Sequence, residues 1–384
     1  MSIKDIQEKY EFDVYQKRDI VLVKGKGAKV WDENGKQYID CAAGHGVALV
    51  GHCNDRVIEA IKNQSRKLIT CPGIIYTEQR ALFLEKLMSI VPNNLKKAFL
   101  CNSGTESIEA ALKFARFSTK RTDFICMMRS FHGRTFAAMS AAFNPKYKQD
   151  FEPLVPGFHF VPFNNFEKLR AAVTDKTAAV LLEPIQGEGG INIAEKTFLQ
   201  NVRELCDEQD IVLIFDEVQC GLCRTGEMFG CDHFDIQPDI LCLAKGLAGG
   251  VPLGAVVCSD KIDVPIGRHG STFGGNPLSC AAGIAAIDFM LEEDLAGQAK
   301  EKGEYFEERF SKHDLAKVRE VRVKGLMIGI ELKVRSKPYL EALAEKGVLA
   351  LPAGPTVIRL LPPLVITREE LDSVIESFVE VLKQ

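Results

Sequence analysis

The sequence predicts an α/β protein: a mostly parallel sheet flanked by helices in a large domain, plus a smaller α+β domain. Between about residues 55 and 260, short runs that are apolar throughout alternate with segments of helical period. These runs are Ala98–Cys101, Phe124–Met128, Ala178–Leu182, Ile211–Phe215, Ile240–Leu243 and Gly254–Cys258. Strands that are apolar on both faces and separated by helices belong in parallel sheets covered on both sides. After about 281 the pattern changes to alternating strands followed by helices, as in a smaller α+β domain. The length, 384 residues with 46% hydrophobic and 26% charged, suits two or three folding units of ordinary globular composition.

From the start, residues 1 to about 38 read as a short helix and an extended hairpin, with Val21–Val30 running into the turn residues Asp32, Asn34 and Gly35. Residues 1–54 are expected to join the small domain, 55–280 to form the large one and 281–384 the small one. One long helix should follow Pro277 through Ala281 to about Phe310. Strands should then cover Val318–Val323, Met327–Leu332, Val348–Leu351 and Val357–Leu361, with helices near Tyr339–Lys346 and from Arg368. No repeat, low-complexity tract or polar linker separates these parts, so they should pack together.

Lys and Arg number 48 against 52 Asp and Glu, a formal charge of −4, which gives no global electrostatic footprint for nucleic acid. Twelve cysteines lie at mostly apolar positions such as Cys126 and Cys258, where a free thiol behaves as a small hydrophobe. That usage points to a reducing compartment. Met1–Tyr10 lacks the apolar core of a secretory signal, and no uncharged apolar run approaches the roughly 18 residues that span a bilayer. A cytoplasmic protein with no nucleic-acid or membrane partner is expected.

In open parallel sheets ligands bind beyond the carboxyl ends of the strands, so the residues just after each apolar run are the informative ones. Asn102-Ser-Gly-Thr-Glu106 precedes a helix with Ile108, Ala111, Leu112 and Ala115 on one face. Its free N–H groups and positive dipole end suit a phosphate. A plain capping box of Ser103 with Glu106 is the commoner meaning of such a turn taken alone. Phe131-His-Gly-Arg134 places a guanidinium at the next strand end, able to hold a carboxylate bidentately or to stand as a solvated charge. Glu183 and Glu188 lie in a Gly-rich turn and could simply cap the structure after it.

Asp216 abuts a wholly apolar strand, where an unpaired carboxylate is expensive, and Lys245 holds the same relative position after Ile240–Leu243. Two possibilities stay open: a structural salt bridge between them, or separate partners on one bound cofactor. In the second, the acid faces a protonated ring nitrogen and the lysine is a Schiff-base amine. No Walker A motif or strand-following Gly-x-Gly-x-x-Gly occurs, so the phosphate is not a nucleotide's. Cys220-Gly-Leu-Cys223 has the spacing of a zinc or redox site, but no second Cys-x-x-Cys accompanies it and no metal is expected.

Taken together, these segments resemble the class III aminotransferases, fold type I enzymes dependent on pyridoxal 5'-phosphate. The likeness covers nearly the whole chain, in the family's order. It comprises Val23-Lys-Gly-Lys-Gly27 with Trp31-Asp-Glu-Asn-Gly35, Asn102-Ser-Gly-Thr-Glu106, Phe131-His-Gly-Arg134, Glu183-Pro-Ile-Gln-Gly-Glu188, Asp216-Glu-Val-Gln219, Lys245, His269-Gly-Ser-Thr-Phe-Gly-Gly-Asn-Pro277 and Arg359-Leu-Leu-Pro-Pro363. Within the class, Phe131–Arg134, Ser271-Thr272 and Ile358–Pro363 most resemble the acetylornithine and N-acyl-diamine aminotransferases of arginine and lysine biosynthesis. Members often carry a small residue and Phe where this chain has Cys220–Cys223.

The resemblance implies that Lys245 bonds the cofactor and then shuttles a proton. Asp216 would keep the pyridine nitrogen protonated, Gln219 would bond the phenolic oxygen, and Val218 and Phe131 would sandwich the ring. Glu217 falls among the cofactor contacts, and Gly104 and Thr105 would hold the phosphate. Thr272 would reach that phosphate from a partner subunit, which makes the active unit a homodimer. On the substrate side, Arg134 would hold the distal carboxylate, with Ser271 and Tyr15 lining that end. Glu188 would pair with Arg359 while an acyl-diamine is bound, and release it for glutamate or 2-oxoglutarate. The implied reaction moves the terminal amino group of an N-acylated basic amino acid, first of all N2-acetylornithine, to 2-oxoglutarate. A lysine bound to an acidic carrier protein, or free ornithine, is the alternative donor. An aminomutase is disfavoured by the presence of both Arg134 and Arg359, and a non-catalytic binding protein by Lys245.

Overall fold

The protein is described by a computed structural model covering residues 1–383. Its central sheet has seven strands in the order Leu95–Cys101, Gly254–Ser259, Ile240–Leu243, Val212–Asp216, Thr177–Leu182, Asp123–Met127 and Phe158–Val161. Gly254–Ser259 runs antiparallel to both neighbours, and the other pairings are parallel. All six expected runs are strands. The seventh, Phe158–Val161, lies at the edge, where exposed His159 interrupts the apolar run.

Successive residues of these strands feed two cores. Phe124, Cys126, Leu181, Ile214 and Cys242 pack with Ile108, Ala111, Leu112 and Ala115 of the helix Gly104–Thr119. Ile125, Met127, Leu182, Leu213 and Leu241 pack on the opposite face with Phe198 and Val202 of Lys196–Glu208 and Ala286 of Pro277–Glu292. That two-sided burial, with alternate side chains sent to opposite faces, is why the strands read as unbroken apolar runs.

The N-terminal region folds as helix Ile3–Tyr10, which buries no residue, and three antiparallel strands, Leu22–Lys26, Lys29–Asp32 and Gln37–Asp40. The expected single hairpin therefore gains a third strand, because the Asp32 carboxylate accepts from the N–H groups of Asn34 and Lys36 and turns the chain back. Val348–Leu349 extends this sheet in parallel with Gln37–Asp40.

The expected helix from Pro277 to Phe310 is two helices, Pro277–Glu292 and Leu295–Ser311. Asp294 adopts φ 46° and accepts from Gly297 N–H, starting the second. Residue 281, the expected start of the small domain, falls inside the first helix, whose Ala282, Ala286 and Met290 share a core with Phe83 and Leu253; the two helices part at Glu293–Asp294. Beyond it, Val318–Lys324, Met327–Leu332, Val357–Leu360 and Leu351–Ala353 form a four-stranded antiparallel sheet. The chain closes with helix Arg368–Lys383. Among the described residues no helix is long and apolar enough to cross a membrane, and all twelve cysteines are free, with Cys53 exposed.

Candidate active site

At the carboxyl end of Val212–Asp216, the Asp216 carboxylate is buried. It accepts from Val218 N–H at 3.0 Å and pairs with His132 Nδ1 at 2.7 Å. The residue that satisfies this acid is therefore His132, not Lys245. Among the described residues Lys245 makes no ion pair, and none joins it to Asp216. Its backbone sits in the left-handed region at φ 44°, opening a short 3₁₀ turn. Burial lowers the Lys245 amine's pKa, with the charges of Asp216 and Glu188 opposing, so the neutral nucleophilic form is favoured relative to an ordinary lysine.

The Ser103 turn is a helix cap. Ser103 Oγ accepts from Glu106 N–H, and the Glu106 carboxylate accepts from Asn102 N–H and Ser103 Oγ–H, which caps the helix and leaves Gly104 and Thr105 at its positive end. A Cβ on Gly104 would stand 2.7 Å from Val218 Cγ1, so this turn and the Val218 side chain meet closely because position 104 carries no side chain. Thr105 Oγ1 lies 2.7 Å from Thr135 Oγ1, which brings the Phe131–Arg134 segment to the same end.

Arg359, in strand Val357–Leu360, is fully buried. Its Nη2 donates to Glu188 Oε1 at 2.6 Å and its Nη1 to Gln219 Oε1 at 2.8 Å, while Nε has no acceptor. A Cβ on Gly187 would fall 2.0 Å from Gln219 Oε1, so glycine is what admits the Gln219 amide beside Arg359. Arg359 holds the Glu188 carboxyl below its ordinary range against the opposing effect of burial. Arg134 has no carboxylate partner; its guanidinium lies 3.6 Å from the centre of the Tyr147 ring and 5.6 Å from that of Phe131.

Four expected residues stand apart. Glu217 follows Asp216 directly, and its carboxylate accepts from Gly230 and Cys231 N–H at 2.8 and 2.7 Å and from Cys220 Sγ. Burial raises it to about 7. Its carboxylate is thus committed to bracing that loop. Ser271 is seated on Asn102 Nδ2 and Gly274 N–H, with no bond to Arg134. Tyr15 is 67% exposed. Thr272 is exposed and bonds nothing in its own chain.

The sequence offered Glu183 only as a cap and assigned no role to His132, Tyr147 or His45. Glu183 accepts from Phe131 and Gly187 N–H, so the capping explanation holds for it, and burial raises it to about 7. His45 lies in a turn whose residues Ala43, Gly44, His45 and Gly46 all have positive φ, 46°, 61°, 61° and 84°. The Asp40 carboxylate accepts from Ala42 and Ala43 N–H, and Cys41 O accepts from Leu361 N–H. The imidazole is near enough to Glu188, Arg359 and Lys245 to feel their charges. Gly on either side of His45 was the available signal, since glycine tolerates this conformation.

These groups match pyridoxal phosphate by their chemistry: an N-terminal helix turn for a phosphate, a buried acid with no cation but His132, an amine with no anion, and apolar Val218 and Phe131. On a mostly parallel sheet they define a fold type I enzyme dependent on that cofactor. The chain belongs to the class-III aminotransferases, with residues 13–382 matching the family. It is 48% identical to the [LysW]-aminoadipate semialdehyde transaminase of Deinococcus radiodurans, over 98% of this chain and 89% of that one. With the acetylornithine aminotransferase of Methanocaldococcus jannaschii it shares 45% identity, over 99% and 98%. The solved ornithine aminotransferase of Toxoplasma gondii superposes with a TM-score of 0.94 at 33% identity, covering 99% of this chain and 94% of that one.

Proposed function

We propose that the enzyme moves the terminal amino group of an N2-acylated basic amino acid, N2-acetylornithine first, to 2-oxoglutarate, yielding the semialdehyde and glutamate. The observation that carries this is the pairing of buried Arg359 with Glu188 while Arg134 stays uncommitted. In that state the pocket offers one guanidinium, which fits a donor with a single carboxylate far from its reacting amine. Release of Arg359 offers two, which fits glutamate and 2-oxoglutarate.

When bound, pyridoxal phosphate supplies an electron sink beside the substrate's reacting carbon. Gly104 and Thr105 would hold its phosphate, Val218 and Phe131 would flank its ring, and Asp216, oriented by His132, would keep the ring nitrogen protonated. Gln219 gives its carbonyl oxygen to Arg359 and keeps its NH₂ as donor to the phenolic oxygen. Lys245 Nζ would hold the cofactor and would serve as the group that takes up and returns the proton at the substrate carbon.

Arginine–carboxylate hydrogen bonds contribute about 1.5–3 kcal/mol each. Glu188→Gln is therefore expected to favour the glutamate half-reaction over the acyl-diamine one, Arg359→Ala to do the reverse, and Arg134→Ala to slow both. Rapid mixing of each half-reaction checks this; equal losses in both halves for Glu188→Gln refute the exchange.

The proposed active unit is a homodimer in the cytosol. Ile69, Ile74, Tyr76 and Phe273 are exposed, and Arg80 ties their segments together through Cys71 O, Ile75 O and Gly275 O. An apolar patch of this kind marks an interface. Thr272, beside Phe273, then completes the partner's phosphate site. Thr272→Ala should weaken cofactor affinity without dissociating the dimer, and sedimentation of an active monomer overturns it. The 48% identity with a [LysW]-aminoadipate semialdehyde transaminase favours one second donor, a lysine on an acidic carrier. Steady-state kinetics with acetylornithine, ornithine, acetyllysine and carrier-linked lysine against 2-oxoglutarate decide between them. Only the carrier should show strongly salt-dependent affinity.

A further inference from the structure

Arg224 lies five residues beyond Gln219 and is fully buried. Its Nη1 donates to Leu326 O at 2.9 Å and Pro362 O at 2.6 Å, and its own carbonyl accepts from Leu326 N–H at 3.0 Å. Nε and Nη2 have no acceptor among the described residues, and no carboxylate pairs with it. Burial pulls this guanidinium down to about 9. An unneutralised cation at such depth is expensive, and an apolar side chain of equal volume would fill the space at less expense. Its two carbonyl bonds are what distinguish it from such a filler.

Those bonds close a ring. Pro362 is three residues past Arg359, Arg359 donates to Gln219, and residues 220–224 lead from Gln219 back to Arg224. Thr225 Oγ1–H donates to Cys220 O, and His233 Nε2 lies 3.1 Å from both Thr225 O and Oγ1, which stiffens the connecting segment. We infer that Arg224 is a positioning residue for Arg359: by pinning the Leu326 and Pro362 carbonyls to the loop that carries Gln219, it fixes where the Arg359 guanidinium stands once Glu188 releases it, and so sets the affinity for the second carboxylate of the dicarboxylate substrate.

This rests on the proposed role of Arg359, so Arg359→Lys is measured beside it. In the holoenzyme, Arg224→Met should raise the KM for 2-oxoglutarate and the inhibition constant of glutarate by about tenfold, with the acetylornithine half-reaction changed less than about twofold. Arg224→Lys, which keeps a donor to one carbonyl, should lie between. Combining Arg224→Met with Arg359→Lys should add little to Arg359→Lys alone, as expected for coupled sites. Parallel losses in both half-reactions that track a fall in thermal midpoint, unchanged constants, additive effects, or failure of both Arg224 variants to fold would each overturn the inference. If Arg359→Lys itself spares 2-oxoglutarate and glutarate binding, the proposed role of Arg359 fails, and the inference fails with it. A loss for Arg359→Lys with none for Arg224→Met removes the inference alone.

Discussion

Lys245→Ala is expected to abolish amino transfer while leaving the protein folded and able to take up its cofactor without a covalent link. The proposed phosphate and ring contacts come from Gly104, Thr105, Val218 and Asp216, none of which depends on the Lys245 side chain. What disappears is the one amine that burial biases toward its neutral form beside Asp216 and Glu188. Proton transfer by a positioned side chain alone contributes roughly 10²–10⁴-fold, and the loss of covalent attachment adds to that. Turnover together with the absorbance of the bound cofactor checks the outcome. Near wild-type turnover would show that another group does the work.

Asp216→Asn should come next in severity, with activity falling by roughly 10²–10³-fold or more while attachment at Lys245 persists. The amide matches the carboxylate in size and its one oxygen can still accept from Val218 N–H, while its NH₂, standing in place of Oδ2, can only donate toward His132 Nδ1. It carries no charge, so a protonated ring nitrogen opposite it loses its stabilisation and the ring loses its pull on electrons. Single-turnover measurement of either half-reaction is the readout, and unchanged rates would remove Asp216 from the chemistry.

The strand ends were legible because the sheet is buried on both faces: wholly apolar runs locate its strands, and the polar residues just after the runs that are parallel to one another lie at one end of the sheet, whereas antiparallel Gly254–Ser259 ends at the other. Asp216, Lys245 and the Asn102–Glu106 turn were found that way. The edge strand Phe158–Val161 escaped because it is half-exposed and carries His159. The break at Asp294 escaped because its helices share a helical pattern and differ only by a left-handed residue. That the Glu217 carboxylate braces the Gly230–Cys231 loop was not legible, because adjacency in sequence says nothing about which side of a strand end a carboxylate takes. The pairing of His132 with Asp216, and of Arg359 with both Glu188 and Gln219, joins residues far apart in the chain; no local period encodes such contacts.

The left-handed turn at Ala43–Gly46 also bears on the order in which the enzyme comes into being during synthesis. A non-glycine residue in that conformation is unfavourable by itself, and the turn is held from one side by Asp40 and from the other by Leu361 N–H on Cys41 O. The strand leading into it pairs with Val348–Leu349. A growing chain therefore presents its reactive lysine long before it can finish the wall around His45 or supply Arg359. On the proposed role of Arg359, substrate discrimination arrives with the last segment to emerge, and contacts so distant in sequence form slowly. A shortened chain lacking that segment would keep the strand ends that carry Asp216 and Lys245 and lose the means of telling one carboxylate from two.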